Sequence, residues 1–358
     1  MRIRTRKGGA FAGVLLGIAM LLGAVGVLWA NEGRADLSKI AQDAIVVAAG
    51  PAPTEAQGQM VGITGRLEVV EAAFDADFGV RGDYLALNRK VEMYAWDEDE
   101  DDDSYSYNTE WTTSPASSSG FEYPAGHENP AMPYQAATLY AHTGQVNGHT
   151  FDPARAHLTG AESIVLGEEV RLPQWGHVEG MYLYIGYYGF VAPSRPAVGD
   201  VRISYTAVPA GGTVTLYGLL QGDRVDPFIQ DKAQLYGIWG GSHAEALATM
   251  HREYVMIGWA MRVGGFLLMW FGLNLLVSPL TNLLGYVPLL GRLGRGAIWI
   301  VTFVIALVVS LVIMLVSFVA HRWYLILAIV LVGIGAAVFF VLRQRKAAGG
   351  GEATGTAS

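Results

Sequence analysis

Seven consecutive acidic residues, at positions 97–103, are the densest group of potential metal ligands in the sequence. Carboxylate oxygens suit Ca²⁺, but an EF-hand loop also needs a glycine at its sharp turn and a glutamate at its twelfth position. The run DEDEDDD contains no glycine, and Tyr107 or Asn108 stands near the place of that glutamate. Because successive like charges repel one another and resist packing, the run predicts a solvated loop rather than a metal site.

Histidine offers the other candidate chemistry, as a metal ligand or a general base. His142, His149 and His157 are spaced by seven and eight residues, but the chain has no HExxH motif and no cysteine, which disfavours a metal site. His127 stands in the turn-like sequence GHENP, where stabilising the turn is favoured over catalysis. The sequence contains no GxSxG, P-loop or dinucleotide-binding motif. No motif therefore supports an enzyme, and no cofactor is expected.

Residues that favour β-structure flank the acidic run on both sides, at 85–96 and 104–111. Tyr105, Tyr107, Thr109 and Trp111 recur at every second position, which predicts a strand with one largely aromatic face. The flanks therefore predict a hairpin whose tip is the acidic loop 97–103. Patterns and turn residues also predict a short helix at 36–48, a second hairpin joined through 209–212, and strands at 60–70, 181–191, 198–208, 213–220 and 223–238.

Long apolar runs predict that this β-rich region is attached to a membrane. Hydrophobic residues make up 52% of the 358 residues, charged residues only 16%, and the mean hydropathy is +0.31, which is too apolar for an ordinary soluble protein. Four segments are long enough to cross about 30 Å of hydrocarbon. The first favours an uncleaved signal anchor over a cleaved signal peptide, because Leu28-Trp29-Ala30 is a poor cleavage site.

The predicted fold is an α+β membrane protein with four transmembrane helices, one before and three after a large β-rich non-cytoplasmic domain. Pro279 is expected to end the second span. The predicted segments are a basic cytoplasmic N-terminus at 1–7, TM1 at 8–30, the acidic domain at 31–254, TM2 at 255–277, a cytoplasmic or interfacial loop at 278–295, TM3 at 296–320, TM4 at 323–342 and a disordered cytoplasmic tail at 343–358.

Charge sets the expected orientation and excludes one class of partner. Basic residues concentrate in the N-terminus, the loop 278–295 and the end of the last span, which predicts that both termini are cytoplasmic. Residues 31–254 carry 31 acidic and 13 basic residues, a net charge of −18. A domain so acidic would repel a polyanion, so nucleic-acid binding is not expected.

Two polar side chains interrupt the second span. Arg262 is its one charge, and it either reaches the outer interface at little cost or lies deeper and needs an acidic lipid or protein partner. The first alternative is favoured. Asn274 is suited to a hydrogen bond between helices.

Short motifs spread over the chain resemble the transmembrane protein 43 family, also called LUMA. They are NEGRA (31–35), VEMYAW (91–96), SYNTEW (106–111), GHENP followed by AM (126–132), VGDVRISY (198–205), GDRVDPF (222–228), HRE (251–253) and GWAMRVGGFLLMWFGLNLL (258–276). The resemblance implies one span, a large non-cytoplasmic domain, three further spans and self-association, and it transfers no catalytic residue. Eukaryotic members are linked to lamins and emerin. The composition favours a bacterial member, for which that partnership is not expected.

The motif residues that we expect to matter for the family's structure or interactions come from these segments. They are Asn31, Glu32, Gly33, Arg34, Glu92, Tyr94, Trp96, Tyr107, Asn108, Glu110, Trp111, His127, Asn129, Gly199, Asp200, Arg262 and Asn274.

Three functions are compatible with the sequence. The favoured hypothesis is a membrane-organising scaffold in the inner membrane, which contacts the lipid bilayer, itself and other membrane proteins, with residues 31–254 in the periplasm. The first alternative is an oligomeric channel or transport accessory protein, whose pore would need subunit assembly because few polar residues occupy the spans. The second alternative is a periplasmic enzyme tethered to the membrane, with the region of His127 as its best candidate site.

A topology reporter tests the four-span arrangement. A reporter enzyme fused after Ser358 is expected to be active only when it folds in the cytoplasm, because the basic flanks hold both termini on that side. A reporter inserted in the domain 31–254 should show the opposite pattern. Periplasmic activity of the fusion after Ser358 would contradict the arrangement.

Overall fold

A computed structural model describes residues 7–48, 52–101, 104–231, 233–284 and 291–322, with short helical stretches at 330–332, 334–335 and 338–339. Its contacts divide the chain into two compact units. One unit is Asp36–His251, and the other combines Met1–Ala35 with Arg252–Ser358. The first unit contains the strands, and the second contains the long apolar helices.

The helices of the described residues, apart from those short stretches, are α1 (Lys7–Glu32), α2 (Leu37–Ala41), α3 (His243–Leu284) and α4 (Gly291–Ala320). Three described segments are long and apolar enough to cross a membrane: Gly13–Ala41, His243–Pro279 and Gly296–Ala320. The prediction of a transmembrane α+β protein, with a large β-rich region between its first two spans, is confirmed. Most of the predicted TM4 at 323–342 lies outside the described residues, as does the tail 343–358.

The long helix α3 begins with a capping box, for which Ser242 and Glu245 have the required spacing in the sequence. The backbone N–H of Ser242 donates to Glu245 Oε2 at 2.8 Å, and the backbone N–H of Glu245 donates to Ser242 Oγ at 3.5 Å. The helix does not stop at Pro279, the expected end of the second span, but continues to Leu284. A proline inside a helix removes one backbone hydrogen bond, and in apolar surroundings the remaining bonds favour continuing the helix.

The predicted loop 278–295 is helical at both ends. Helix α3 includes it as far as Leu284, and α4 resumes at Gly291. Its middle, residues 285–290, lies outside the described residues.

Close packing joins α1 and α3 within the helical unit, where a Cβ at Gly17 would stand 2.9 Å from the carbonyl oxygen of Gly272. Small residues permit such an approach between membrane helices.

The first sheet contains eight strands in the order β1-β2-β6-β7-β14-β13-β17-β8. Because β2 also pairs with β13, five of them (β2, β6, β7, β14 and β13) form a closed ring. Apolar side chains from the sheet form one continuous core that includes Ile63, Phe151 and Leu216. The strand bounds are β1 (Ile45–Val47), β2 (Met60–Val70), β6 (Thr143–Val146), β7 (His149–Phe151), β8 (His157–Leu158), β13 (Thr213–Gln221), β14 (Arg224–Asp226) and β17 (Gly237–Gly240).

The second sheet has the order β10-β11-β12-β3-β4, and β3 also pairs with β5 and β12 with β9. Its own core contains Leu87, Met93, Leu183 and Ile203. The bounds are β3 (Tyr84–Asp101), β4 (Ser104–Thr112), β5 (Ala137–Tyr140), β9 (Glu162–Ser163), β10 (Gly176–Glu179), β11 (Tyr182–Ile185) and β12 (Val201–Pro209). Two further strands, β15 (Phe228–Gln230) and β16 (Ala233–Leu235), pair only with each other among the described residues.

The predicted second hairpin is wrong, because its two strands belong to different sheets. Strand β12 pairs with β3, whereas β13 pairs with β2, β14 and β17. Both strands are apolar enough to be buried, so each takes the centre of its own sheet, and the segment 210–212 carries the chain between sheets. A turn sequence between two apolar strands predicts a reversal but not the partner of either strand.

Three other sequence predictions need correction. The predicted helix 36–48 contains only α2, and its β-branched end Ile45–Val47 pairs in parallel with β2 as β1. The predicted strand 181–191 ends at Ile185, after which the chain turns. The predicted strand 223–238 is four short strands, because turns interrupt it. Strand β2, by contrast, has the predicted limits of 60 and 70.

Residues 97–101 of the acidic run form a strand rather than a loop. Strand β3 continues through Asp101, and its acids pair in register with β4, with Asp97 opposite Asn108 and Asp99 opposite Ser106. Residues 102–103, between the strands, lie outside the described residues. A charged run can form a strand because successive side chains point to opposite faces. Asp97 and Asp99 share a face that is exposed to solvent here, so their charges need no packing partner.

A buried ion cluster lies beneath the second sheet. The Asp75 carboxylate accepts two hydrogen bonds from Arg89 Nη1, at 3.0 and 2.8 Å, and one from the Tyr205 hydroxyl at 2.9 Å. Arg89 also contacts Asp77 at 2.8 Å. Burial, and then the contact with Asp75, raise the pKa of Tyr205, so the hydroxyl stays protonated as a donor. Arg89 shares a face of β3 with Leu87 and Val91, which explains its burial.

Two aspartates around Arg89 allow a matched test of this cluster. The Asp75 side chain is 2% exposed and the Asp77 side chain 69%. Replacing Asp75 with Asn should lower the free energy of unfolding by about 3–5 kcal/mol, because it leaves buried Arg89 without its enclosed partner. Asp77→Asn should cost under about 1 kcal/mol, because its charge is in solvent. Urea unfolding of the full chain in mild detergent measures both. Equal effects would contradict a buried cluster.

Candidate functional site

Motifs that are far apart in sequence meet on strand β3. VEMYAW forms its centre and pairs with VGDVRISY on β12, with Met93 opposite Val201 and Glu92 opposite Arg202. Glu92 Oε2 accepts from Arg202 Nε at 2.8 Å, and Glu92 Oε1 accepts from Lys90 Nζ at 2.9 Å. Burial alone would raise the pKa of Glu92, but these two hydrogen bonds outweigh it and hold the pKa below its ordinary value. Glu92 is therefore an ionised structural group.

An aromatic cluster forms on the side of β3 and β4 opposite Asp97 and Asp99. Trp111 lies beneath the Arg202 guanidinium at 4.7 Å and tilts against Tyr94, with ring centroids 5.4 Å apart. The Tyr94 hydroxyl accepts from Thr109 Oγ1 at 2.7 Å, across the strand pair. The alternation of aromatic residues that the sequence predicts for β4 is confirmed by its burial pattern. These side chains hold the two strands together.

The GHENP turn is fastened to this cluster through its amide. Asn129 Oδ1 accepts from the backbone N–H of Trp96 at 2.7 Å, and Asn129 Nδ2 donates to the Trp96 carbonyl at 2.9 Å. The His127 ring stacks on Tyr107, with centroids 3.7 Å apart, and meets Trp96 edge-on at 4.8 Å. Tyr107 in turn donates its hydroxyl hydrogen to Glu98. The Asn129 side chain therefore hydrogen-bonds both backbone groups of Trp96, and these bonds keep the loop against the sheet.

The candidate catalytic group around His127 is not assembled. His127 Nδ1 bonds to the Tyr123 carbonyl at 2.9 Å. Glu128 is exposed and accepts from the backbone N–H of Gly126 at 3.1 Å, and this hydrogen bond lowers the pKa of Glu128. Asn129 points instead to Trp96. The three side chains have separate partners and do not converge on a common point.

Gly199 and Asp200 position the loop that follows β11. Gly199 has a φ of +96°, and a Cβ there would stand 2.8 Å from Cγ of Tyr187. The buried Asp200 carboxylate accepts from the backbone N–H groups of Tyr187 at 2.9 Å and Ala197 at 2.7 Å. A carboxylate with two backbone donors fixes the loop 187–197 at both ends.

In the helical unit, the end of α1 forms an ion pair with α3. Glu32 Oε1 accepts from Arg262 Nε at 3.0 Å and Nη2 at 2.9 Å, and the Arg262 guanidinium also lies over the Trp259 ring at 5.5 Å. The sequence favoured a position of Arg262 at the outer interface, and the alternative was a deeper position with an acidic partner. The structure gives it an acidic partner from the chain itself, which compensates the charge among apolar helices.

The rest of the NEGRA motif packs around this pair. Asn31 is buried, with its Oδ1 3.5 Å from Arg34 Nη1, and the Arg34 guanidinium lies over the Tyr254 ring at 5.1 Å. A Cβ at Gly33 would stand 2.5 Å from Nε2 of His321, so only glycine leaves room for that ring. The motif residues therefore make the turn after α1 fit against α3 and the end of α4.

Hydrogen bonds also join the helices themselves. Asn274 Oδ1 accepts from Thr302 Oγ1 at 3.2 Å, which is the interhelical bond between α3 and α4 that the sequence suggested for Asn274. Ser317 Oγ on α4 donates to the Trp29 carbonyl of α1 at 2.9 Å. Such bonds contribute about 0.6 kcal/mol on average between membrane helices.

Sequence reasoning missed the buried cluster of Asp75, Arg89 and Tyr205, and it missed Ser317 and His321. A signal for Arg89 was present, because period-two alternation places it on the buried face of its strand. Its partner Asp75 lies in irregular chain with no such period. Among the described residues, no three His, Asp or Glu side chains are grouped as a metal site would require.

The fold and these polar contacts define an integral membrane protein with a large β-rich region between its first two spanning helices. A family model described as Transmembrane protein 43 matches residues 90–323. Three relatives are similar over nearly the whole chain, each 26% identical: transmembrane protein 43 of Homo sapiens (96% of this chain, 92% of the relative), that of Pongo abelii (94% and 90%) and the homolog of Drosophila melanogaster (92% and 93%). No solved structure matches. The chain belongs to the transmembrane protein 43 family.

A double-mutant cycle tests the pair between Glu32 and Arg262. The Glu32 side chain is 7% exposed and that of Arg262 35%. Glu32→Gln and Arg262→Gln should each destabilise the helical unit, and the two effects should be non-additive by about 1–3 kcal/mol, because either change alone leaves a charge unpaired. Unfolding in bicelles with added sodium dodecyl sulfate measures the cycle. The exchanged pair Glu32→Arg with Arg262→Glu should recover part of the loss. Additive effects would show that the pair contributes nothing.

Proposed function

We propose that the protein is a membrane-organising scaffold that self-associates and binds other membrane proteins through the domain between its first two spans. The N- and C-termini are cytoplasmic in this proposal, and residues 31–254 lie in the periplasm of a bacterium, on the outer side of its inner membrane. The charge asymmetry of the flanking segments supports this orientation.

The observation that carries the proposal is the exposed acidic face of the β3–β4 strand pair. Asp97 and Asp99 on β3 lie beside Asn108, Ser106 and Glu110 on β4, and all five are exposed. A two-stranded surface with this composition presents carboxylates and hydroxyls at regular spacing. It suits a basic protein surface, because complementary charge guides association and rejects acidic partners.

The opposite side of the same strands supports a binding role rather than a reactive one. Trp96, Tyr107, His127 and Asn129 bond or stack with one another, so the strand pair is held in one conformation. A surface that is already ordered loses less entropy on binding. Glu92 and Asp200, the buried acids of the motifs, are occupied by internal donors and serve the same rigidity.

Co-purification in mild detergent tests the proposal. The variant Asp97→Asn, Asp99→Asn, Glu110→Gln removes three charges from the acidic face and should lose the proteins that co-purify with the wild type after cross-linking in cells. The matched control Glu162→Gln, Glu168→Gln, Glu169→Gln removes three exposed charges elsewhere and should retain them. Size-exclusion chromatography with light scattering reports self-association. A wild-type chain that elutes alone and monomeric would overturn the proposal.

A further inference from the structure

Aromatic side chains form an exposed surface at the edge of the second sheet, around the turn after β11. Exposed fractions are 50% for Tyr187, 83% for Tyr188, 72% for Phe190 and 41% for Trp175. Trp175 and Phe190 meet edge-on with centroids 5.4 Å apart, and Tyr187 and Tyr188 do so at 4.6 Å. We call these four residues the aromatic surface. Clustered exposed apolar side chains mark a contact with a partner or a membrane.

This surface is built rather than incidental. The loop turns so tightly that a Cβ at Gly186 would overlap the carbonyl oxygen of Gly189. The backbone N–H of Tyr187 donates to Asp200 Oδ1 at 2.9 Å. Trp175 has a φ of +62°, which is unfavourable for a bulky residue and places strain at this edge. The tight turn and the hydrogen bond from Tyr187 to Asp200 therefore hold the aromatic rings in an exposed position.

The charge around the surface differs from that of the rest of the domain. Residues 31–254 have a net charge of −18, yet the stretch 171–199, which contains all four residues of the aromatic surface, has one acidic residue, Glu179, and two basic residues, Arg171 and Arg195. An acidic region would be repelled by anionic headgroups, whereas an aromatic region with two basic residues and one acidic residue would not. Tyrosine and tryptophan are also the residues that favour the interface between water and hydrocarbon.

We propose that the aromatic surface is a membrane-interface anchor, whose ligand is the headgroup region of the lipid bilayer. The domain continues into a spanning helix at each end, through α1 and α3. Such tethering keeps a bilayer at high effective concentration, so even a weak affinity of a few exposed rings gives lasting contact. The proposal extends beyond partner binding, because it assigns a lipid contact to a surface other than the acidic face of β3 and β4.

The chain contains no cysteine, so one introduced cysteine can carry a single fluorescent label. We would place an environment-sensitive label at Tyr188→Cys in the full chain, in nanodiscs of three parts phosphatidylethanolamine to one part phosphatidylglycerol with nitroxide-bearing lipid. Lipid nitroxide should quench this label, and its emission should shift to the blue. The matched control is Tyr123→Cys, another exposed tyrosine, next to Glu122, whose backbone N–H donates to the Glu98 carboxylate. Its label should instead be quenched by aqueous acrylamide, a neutral quencher that nearby carboxylates do not repel.

A second variant separates lipid contact from other causes. Adding Tyr187→Ser and Phe190→Ser to the labelled chain should abolish the lipid quenching at position 188, while an unchanged thermal transition shows that the domain is folded. Quenching of the label at position 188 by acrylamide and not by lipid nitroxide would overturn the proposal. So would a disulfide that joins two unlabelled copies of the Tyr188→Cys variant in one nanodisc, because the surface would then be a protein interface. Neither result depends on whether proteins co-purify with the acidic face.

Discussion

The antiparallel pairing of β3 with β12 is the constraint on which the strand-rich unit depends. It places the VEMYAW and VGDVRISY motifs side by side, and it places Glu92 opposite Arg202. Beyond this pairing, strand β3 continues into the acidic segment that pairs with β4. Strand β12 begins directly after Gly199 and Asp200, which position the loop that carries most of the aromatic surface. Both surfaces are therefore extensions of one central pair of strands. Breaking that pair would displace both.

Charged side chains of this protein are stabilised in different ways according to how deeply they are buried. Asp97 and Asp99 stay in water by strand alternation, so their mutual repulsion is screened. Asp75, Arg89 and Tyr205 are enclosed together, because a lone buried charge would be too costly. Glu32 and Arg262 pair within the helical unit. In each case the charged side chain has a partner within the chain or in water.

The glycines of the motifs allow neighbouring side chains to approach the backbone closely. Gly33 leaves space for the His321 ring, and Gly199 combines a positive φ with contact to Tyr187. A side chain at either position would move a neighbouring element, not only the glycine itself. Motif residues with no chemistry of their own therefore determine where neighbouring side chains lie.

The sequence by itself determined the first three spans, the limits of β2, the capping box of α3 and the aromatic alternation of β4. These features depend on the hydrophobicity of the residues and on the period of their pattern within one short window, so the sequence alone indicates them. Only the tertiary structure decided that β12 and β13 belong to different sheets, that the acids 97–101 continue a strand, and that Arg262 meets Glu32. Those outcomes depend on partners up to 230 residues away. A local pattern shows that a strand or a charge needs a partner, but only the folded chain shows which partner is within reach.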